Sequence, residues 1–254
     1  MAWDPKTYLA YGAERTRPAA DLLARVALAA PKRVADLGCG PGNSTALLRA
    51  RWPEAELDGI DSSPEMLNDA RATRVAARFL EADIAQWTPE APYDAIYSNA
   101  ALQWVGDHES LFPRLLSFVR PGGALAIQVP VNFDEPGHRL IREAVADARW
   151  ADRLKDARDW WNVLPPEAYF DLMAPSARSI DLWETRYFNV LEGEDAVFHW
   201  MMGTGLRPFV EALETPLKEA FLEHCRLLLA AAYPARKSRK TIYRFLRLFI
   251  VVSV

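Results

Sequence analysis

Two cysteines in 254 residues leave this chain without a disulfide framework, and neither Cys39 nor Cys225 has metal-site neighbours. His138, His199 and His224 likewise show no metal spacing, so no metal is expected. No apolar run is long enough to span a bilayer; Leu246 to Val254, the longest near an end, is short and contains Arg247. Positive charge is not in excess. The 30 Lys and Arg against 34 Asp and Glu give a net charge of −4, which supplies no overall field to hold nucleic acid. The opening Met1-Ala2-Trp3-Asp4-Pro5-Lys6 lacks the basic-then-apolar layout of a signal peptide. Low-complexity stretches and internal repeats are missing too. These absences point to a cytoplasmic protein with no membrane partner and no nucleic-acid partner, and they leave its oligomeric state open.

Half the residues are apolar and a quarter are charged, a globular balance, and the length suits one domain, 1–254, with insertions. From about Pro31 to Val131 short apolar runs alternate with amphipathic stretches. Strands are expected at Lys32 to Leu37, Glu56 to Asp61, Arg78 to Glu81, Tyr93 to Ser98 and Ala124 to Val129. A helix is expected from Ser44 to Trp52, and another follows Ser63, with Ser63 as its cap and Pro64 at the first helical position. Strands alternating with helices imply right-handed crossovers and a parallel sheet covered on both faces. Residues 1–30 read as an N-terminal helical segment on the substrate side, and 31–131 as the cofactor-binding core. Helical insertions at 135–162 and 195–233 are expected to act as a cap. Strands are expected at 176–190 and 241–254, and a further helix from Pro165 to Met173.

The strongest signal is Val34-Ala35-Asp36-Leu37-Gly38-Cys39-Gly40-Pro41-Gly42. Glycines at alternate positions after a strand allow a tight turn and close backbone approach to a ligand at the start of a helix. The spacing is Gly-x-Gly-x-Gly, which differs from the Gly-x-Gly-x-x-Gly of dinucleotide folds. Asp36, just before the first glycine, would repel a pyrophosphate and hold an ammonium group. Asp61 ends the second strand at the distance suited to ribose hydroxyls. Asp83-Ile84 follows the third strand, where a carboxylate can accept from the amine of an adenine edge. Taken alone, Asp83 has a second, lesser reading as a solvated loop carboxylate.

On these residues the stretch from Arg33 to Val131 resembles the class I methyltransferases that use S-adenosylmethionine. The resemblance implies a doubly wound α/β fold of Rossmann-like type, with a mostly parallel seven-stranded sheet and an antiparallel last strand. It implies S-adenosyl-L-methionine as cofactor and S-adenosyl-L-homocysteine as product. Carried over, Asp36, Gly38 and Gly40 face the methionine end, Asp61 the ribose and Asp83 with Ile84 the adenine, while Ser62 and Met66 lie near the adenosine and Asn99 is a further cofactor-binding residue.

The strand-four end, Asn99-Ala100-Ala101-Leu102-Gln103-Trp104, lacks the Asn-Pro-Pro-aromatic tetrapeptide of DNA and protein amide methyltransferases. It looks instead like small-molecule methyltransferases. The opening from Trp3 to Leu23, the stretch Gly203-Thr204-Gly205-Leu206-Arg207-Pro208-Phe209 and the ending Tyr243 to Val251 resemble the trans-aconitate 2-methyltransferases. The run Ala235 to Lys240 departs from that pattern. A small polycarboxylate acceptor follows from this resemblance, bound by Tyr8, Arg15, Arg17, Gln103, Trp104, Arg207 and Tyr243. Arginine suits it because its fork pairs a carboxylate through two parallel bonds.

Blander roles stand beside these. The arginines read also as surface residues, Tyr8 and Tyr11 as helix packing, Trp104 as core filling, and Trp160-Trp161 as a contact between cap and core. His108 reads either as a base or as a solvent-facing helix start. A carboxylic acid titrates near pH 4, so the nucleophile is already ionised at neutral pH and needs neither general base nor metal. No catalytic acid or base is therefore named. The rival activities are methylation of another free or carrier-protein-bound acid, of the malonyl-carrier-protein type, cofactor-dependent regulation without turnover, and nucleotide-dependent oxidoreduction.

Overall fold

The central strands are short, largely apolar stretches broken by single acids, and they form the middle of a seven-stranded sheet in the computed structural model, which describes residues 12–157 and 162–254. The strand order is β3-β2-β1-β4-β5-β7-β6. The strands are β1 (Arg33–Leu37), β2 (Glu56–Asp61), β3 (Arg78–Glu81), β4 (Tyr93–Asn99), β5 (Val119–Pro130), β6 (Ser179–Glu192) and β7 (Lys240–Ser253). Strands β1 to β5 pair in parallel and β7 runs antiparallel to β5, with Gln128 opposite Phe249. Strands covered on both faces bury consecutive residues, as Val34 to Leu37 and Ala95 to Ser98 do, whereas β3 at the edge is half exposed. The expected sheet class, with its antiparallel last strand, is the one observed.

Two compact units make up the described chain. The larger comprises Arg15–Pro130, Asn162–Thr185 and Arg247–Val254. It holds β1 to β5 and the helices α1 (Gly12–Ala24, mostly), α2 (Asn43–Arg51), α3 (Pro64–Ala72), α4 (His108–Ser117) and α6 (Pro166–Met173). Local chemistry sets these helix ends. Ser63 accepts from the Met66 amide with Pro64 in the first turn, and Asp107 accepts from the Ser110 amide to start α4. A buried carboxylate ties three strands together. Asp58 on β2 takes two bonds from the Arg78 guanidinium on β3 and one from the Tyr93 hydroxyl on β4.

The second unit comprises 131–157 and Arg186–Leu246, with α5 (Pro136–Val145), α7 (Ala196–Met202), α8 (Arg207–Ala212) and α9 (Leu217–Ala232). Trp150 packs edge-on against Phe221, and the Gly137 amide donates to the Tyr233 hydroxyl, which joins α5 to α9. Two expected helical stretches are interrupted. Helix α5 stops at Val145, because the Trp150 indole turns back to the Ala144 carbonyl and the Asp147 carboxylate takes the Arg149 amide. The stretch from Asp195 to Ala232 is three helices, broken at Gly203 to Leu206 and again at Leu213 to Pro216, where Pro208 and Pro216 each sit at a helix start. No helix among the described residues is long and apolar enough to cross a membrane.

Candidate functional site

Strand β1 ends in the glycine turn. The Gly38 and Cys39 amides donate to the Ile60 carbonyl at 2.7 and 3.1 Å, which pins the turn to the end of β2. Gly38 has φ +69°, and a Cβ there would lie 2.1 Å from the Ala101 Cβ, so no other residue fits. Gly40 is different: its φ is +52°, yet nothing among the described residues stands within 4 Å of where its Cβ would be. The backbone is thus exposed on a side where a ligand can lie against it.

Carboxylates flank this turn. Asp36 on β1 is fully buried, and its Oδ2 accepts from the Thr45 hydroxyl at 2.6 Å and the Ser44 hydroxyl at 2.8 Å. Its Oδ1 has no partner among the described residues. Burial pushes the Asp36 carboxyl up to about 6, the two hydroxyl bonds oppose that rise, and the nearby Asp61 charge adds to it. A buried acid held this way is waiting for a cation. Asp61 closes β2 with both oxygens in use: Oδ2 accepts from the Gly40 amide and Oδ1 from the Ser63 amide, each at 2.9 Å. Each oxygen keeps a second lone pair, which suits a pair of neighbouring hydroxyls.

The remaining expected cofactor residues surround this pair. Ser62 is exposed, and Met66 is half-buried in the first turn of α3. Asp83 is exposed and accepts from the Ala85 amide, while Ile84 is buried beside it and its Cδ1 lies 3.8 Å from the Gly38 Cβ position. Asn99 ends β4, and its Oδ1 is buried without a partner among the described residues. The turn after β4 carries Ala100 at φ +55° and a 3-10 turn from Leu102 to Trp104. Gln103 is buried there. Its Nε2 donates to the Ala100 carbonyl at 2.8 Å and its Oε1 has no partner among the described residues, while Trp104 is 44% exposed.

The structure therefore brings Asp36, Gly38, Gly40, Asp61, Ser62, Met66, Asp83, Ile84, Asn99, Gln103 and Trp104 to the carboxyl ends of β1 to β4. It does not gather the other expected substrate residues in the same way. Arg17 is exposed on α1. Arg207, in the second unit, is exposed and paired with Glu211 at 2.9 Å. Tyr243, also in the second unit, is 1% exposed and packs with Trp200, Tyr233 and Phe245. Tyr8, the side chain of Arg15, Tyr11 and the Trp160-Trp161 pair lie outside the described residues.

His108 does not face solvent. It is buried at the start of α4, with Nε2 2.8 Å from the Leu102 carbonyl and Nδ1 2.7 Å from the Tyr169 hydroxyl. A carbonyl only accepts, so Nε2 carries the proton, and Nδ1 accepts from Tyr169 when the ring is neutral. The Tyr169 oxygen in turn accepts from the Leu164 amide. Burial lowers the His108 pKa, against the opposing pull of the Leu102 and Val105 carbonyls.

Ser44 and Thr45 were not singled out by the sequence. Their signal is two hydroxyl residues in the first turn of α2, directly after the glycines, where they reach back to the acid on the preceding strand.

A family model described as "Methyltransferase domain" matches residues 11–185. The trans-aconitate 2-methyltransferase of Azoarcus sp. (strain BH72) is 48% identical over 249 residues, covering 98% of each chain. That of Klebsiella pneumoniae (strain 342) is 46% identical, covering 98% of this chain and 96% of its own. Among solved structures, phosphoethanolamine N-methyltransferase 2 of Haemonchus contortus, bound to S-adenosyl-L-methionine, superposes with a TM-score of 0.56 at 14% identity, over 93% of this chain and 52% of that one. Geranyl diphosphate C-methyltransferase of Streptomyces coelicolor A3(2) does so at 0.51 and 17%, over 94% and 77%. At such identities the likeness is one of fold. The glycine turn with its two acids, the sheet order and near-full-length identity approaching one half lead to one assignment: this chain belongs to the methyltransferase-domain family, in the group of the trans-aconitate 2-methyltransferases.

Proposed function

We propose that this protein transfers the methyl group of S-adenosyl-L-methionine to a carboxylate of trans-aconitate, giving a monomethyl ester and S-adenosyl-L-homocysteine. One observation carries the reading: a buried acid with an unpartnered oxygen and a ligand-facing glycine stand beside an aspartate shaped for two hydroxyls, in a chain 48% identical to a trans-aconitate 2-methyltransferase.

When bound, S-adenosyl-L-methionine supplies an electrophilic methyl group on a sulfonium. The chain's own residues hold and orient. Asp36 offers its unpartnered Oδ1 to the amino group of the methionine part, with Thr45 and Ser44 fixing the carboxylate's rotation. Asp61 takes the ribose hydroxyls while its amide bonds to Gly40 and Ser63 keep it in place. Asp83 and Ile84 border the adenine, Ile84 by its apolar side chain. Gln103 and Trp104 border the acceptor, since they sit on the turn that touches Gly38 through Ala101.

The acceptor acid is ionised at neutral pH, so the protein has no proton to remove and its work is placement. Aligning carboxylate oxygen, methyl carbon and sulfur in line is worth roughly 7–11 kcal/mol in favourable cases. His108 is already committed to Leu102 and Tyr169, which agrees with a reaction that asks no base of it.

Incubating the protein with labelled methyl donor and a panel of di- and tricarboxylates, read by mass, tests the reading. A gain of one methyl on trans-aconitate above all other acids is the expected result. Turnover of a carrier-bound acid in its place favours the rival acid-methylating activity, and no turnover of any acid overturns both.

A further inference from the structure

We infer that His108 and Tyr169 are positioning residues: they form a strut that fixes the turn after β4, and with it the place of Gln103 beside the acceptor acid. This rests on the acid-methylating reading above. It gives a task to two buried groups that the chemistry itself does not use.

The turn is strained at both ends. Ala100 has φ +55° and Asp107 has φ +50°, a left-handed backbone that is costly for any residue with a side chain. Strain of this kind persists only where the surroundings hold it, and it gathers at sites where groups must be placed. Bonds at the two ends supply part of the hold. The Ala100 amide donates to the Gln128 carbonyl, Gln103 Nε2 donates to the Ala100 carbonyl, and the Asp107 carboxylate takes the Ser110 amide.

The middle is held at Leu102. Its carbonyl accepts from the Val105 amide at 2.9 Å and from His108 Nε2 at 2.8 Å. The ring is fixed in turn, because the Tyr169 hydroxyl donates to Nδ1 at 2.7 Å and accepts from the Leu164 amide at 3.1 Å. From Leu164 to Leu102 every donor thus faces an acceptor, and the chain runs in one direction. Packing keeps the ring from tilting: Phe112 lies 4.9 Å from His108 and 4.5 Å from Tyr169 between ring centroids, and both residues are buried. Burial lowers the His108 pKa, which keeps the ring neutral and this pattern intact. Filling space alone would need only apolar side chains; a directional chain fixes where Leu102 lies, and Gln103 and Trp104 follow it directly.

The test uses the full chain and compares wild type with His108→Gln, His108→Asn and Tyr169→Phe. A glutamine carries its NH2 near the place of Nε2 and can still donate to Leu102, whereas an asparagine reaches only as far as Nδ1 and leaves that carbonyl one donor short. His108→Asn is expected to keep its affinity for S-adenosyl-L-homocysteine by calorimetry. Its kcat/KM for trans-aconitate should fall about 10-fold, the size of one hydrogen bond, through KM for the acid. Tyr169→Phe should raise that KM by less, and His108→Gln should restore it. Unfolded enzyme lowers kcat and cannot raise the KM of one substrate alone, so the pattern separates placement from stability.

An unchanged KM for trans-aconitate in folded His108→Asn overturns the strut, as does, should that variant not fold, an unchanged KM in Tyr169→Phe. An equal loss in His108→Asn and His108→Gln overturns it too. Each of these leaves the acid-methylating reading in place, because wild type still turns over the acid. Wild type that methylates no acid breaks that reading instead, and hydrogen exchange then decides the strut. Faster exchange at the Trp104 and Val105 amides in His108→Asn or Tyr169→Phe than in wild type keeps it, and equal exchange overturns it.

Discussion

Gly38 and Ala101 meet so closely that a Cβ on the glycine would lie 2.1 Å from the alanine's own. Through this contact the turn after β1 packs directly on the turn after β4. In the proposed function the first carries the backbone that faces the methyl donor, and the second carries Gln103 and Trp104, which border the acceptor. Placement of the two reactants is thus coupled by two side chains that have almost no size.

Substitution at the two neighbouring glycines should therefore separate stability from binding. Gly38→Ala meets the Ala101 clash on top of a left-handed backbone, and overpacking of this kind costs about 1–3 kcal/mol beyond the backbone strain. Its melting temperature should drop in the absence of any ligand. Gly40→Ala pays only the backbone strain of about 1–2 kcal/mol, since its Cβ enters open space. Its affinity for S-adenosyl-L-homocysteine should fall by more than its stability does. Thermal melts with and without that ligand check both, and a larger ligand effect at Gly38 would contradict the assignment of the open side.

Asp36 should leave a pH signature. Its folded pKa of about 6 stands above the ordinary carboxyl range, so the favourable contribution is present below pH 4 and is lost as pH rises through 6. The loss amounts to about 3 kcal/mol at neutral pH. Compared with Asp36→Asn, the ligand-free wild type should thus lose stability between pH 4 and 7. Affinity for S-adenosyl-L-homocysteine should run the other way, rising through pH 6 in wild type and staying flat in the variant. Parallel pH profiles for the two proteins would show that Asp36 does not hold the ligand's amino group.

Asp61→Asn tests a carboxylate that faces two amides. An asparagine can accept with one oxygen only, so either the Gly40 or the Ser63 N–H must face an NH2 group. Leaving one such donor unsatisfied costs about 1–3 kcal/mol. In the proposed binding mode the ribose contact is lost as well. Calorimetry should show at least a tenfold weaker S-adenosyl-L-homocysteine complex, with the protein still folded.

His108 is a structural histidine, and its removal should act through the acceptor turn. Tyr169→Phe deletes the hydroxyl that links Leu164 to the ring and should cost about 1–2 kcal/mol in denaturant melts. The lowered His108 pKa means that its stabilising contribution holds above pH 6.5 and is lost as pH falls through the folded value. The kcat of wild type at saturating substrates should nonetheless stay level from pH 5.5 to 8, a range in which a histidine base would lose its activity on acidification while a carboxylate acceptor stays largely ionised. A kcat that tracks a histidine titration in His108-containing protein, and not in His108→Gln, would return the residue to the chemistry.

Much of the site was readable because it is local in sequence. The Asp36-to-Gly42 turn lies within seven consecutive residues, and Asp61 and Asp83 each follow a short apolar strand whose end the pattern marks. Helix α3 could be placed from Ser63 and Pro64 alone, because capping is a matter of adjacent residues. The insertions were harder. Their apolar spacing ran on through Asp147 and Thr204, and what stopped the helices was a side chain turning back onto the backbone, as Trp150 does on Ala144.

By itself, then, the amino-acid order determined the alternation of strands and helices, the glycine turn and the acids at the strand tips, since these depend on period and on neighbours one to four residues apart. Tertiary structure alone decided the rest. It placed Ala101 on Gly38, Thr45 on Asp36, Tyr169 on His108 and Arg247 on Gln128, pairs separated by 9 to 119 positions. No local rule reaches across such distances. Those partners are selected by the strand order of the sheet and by the requirement that a polar group taken out of water find another to bond with.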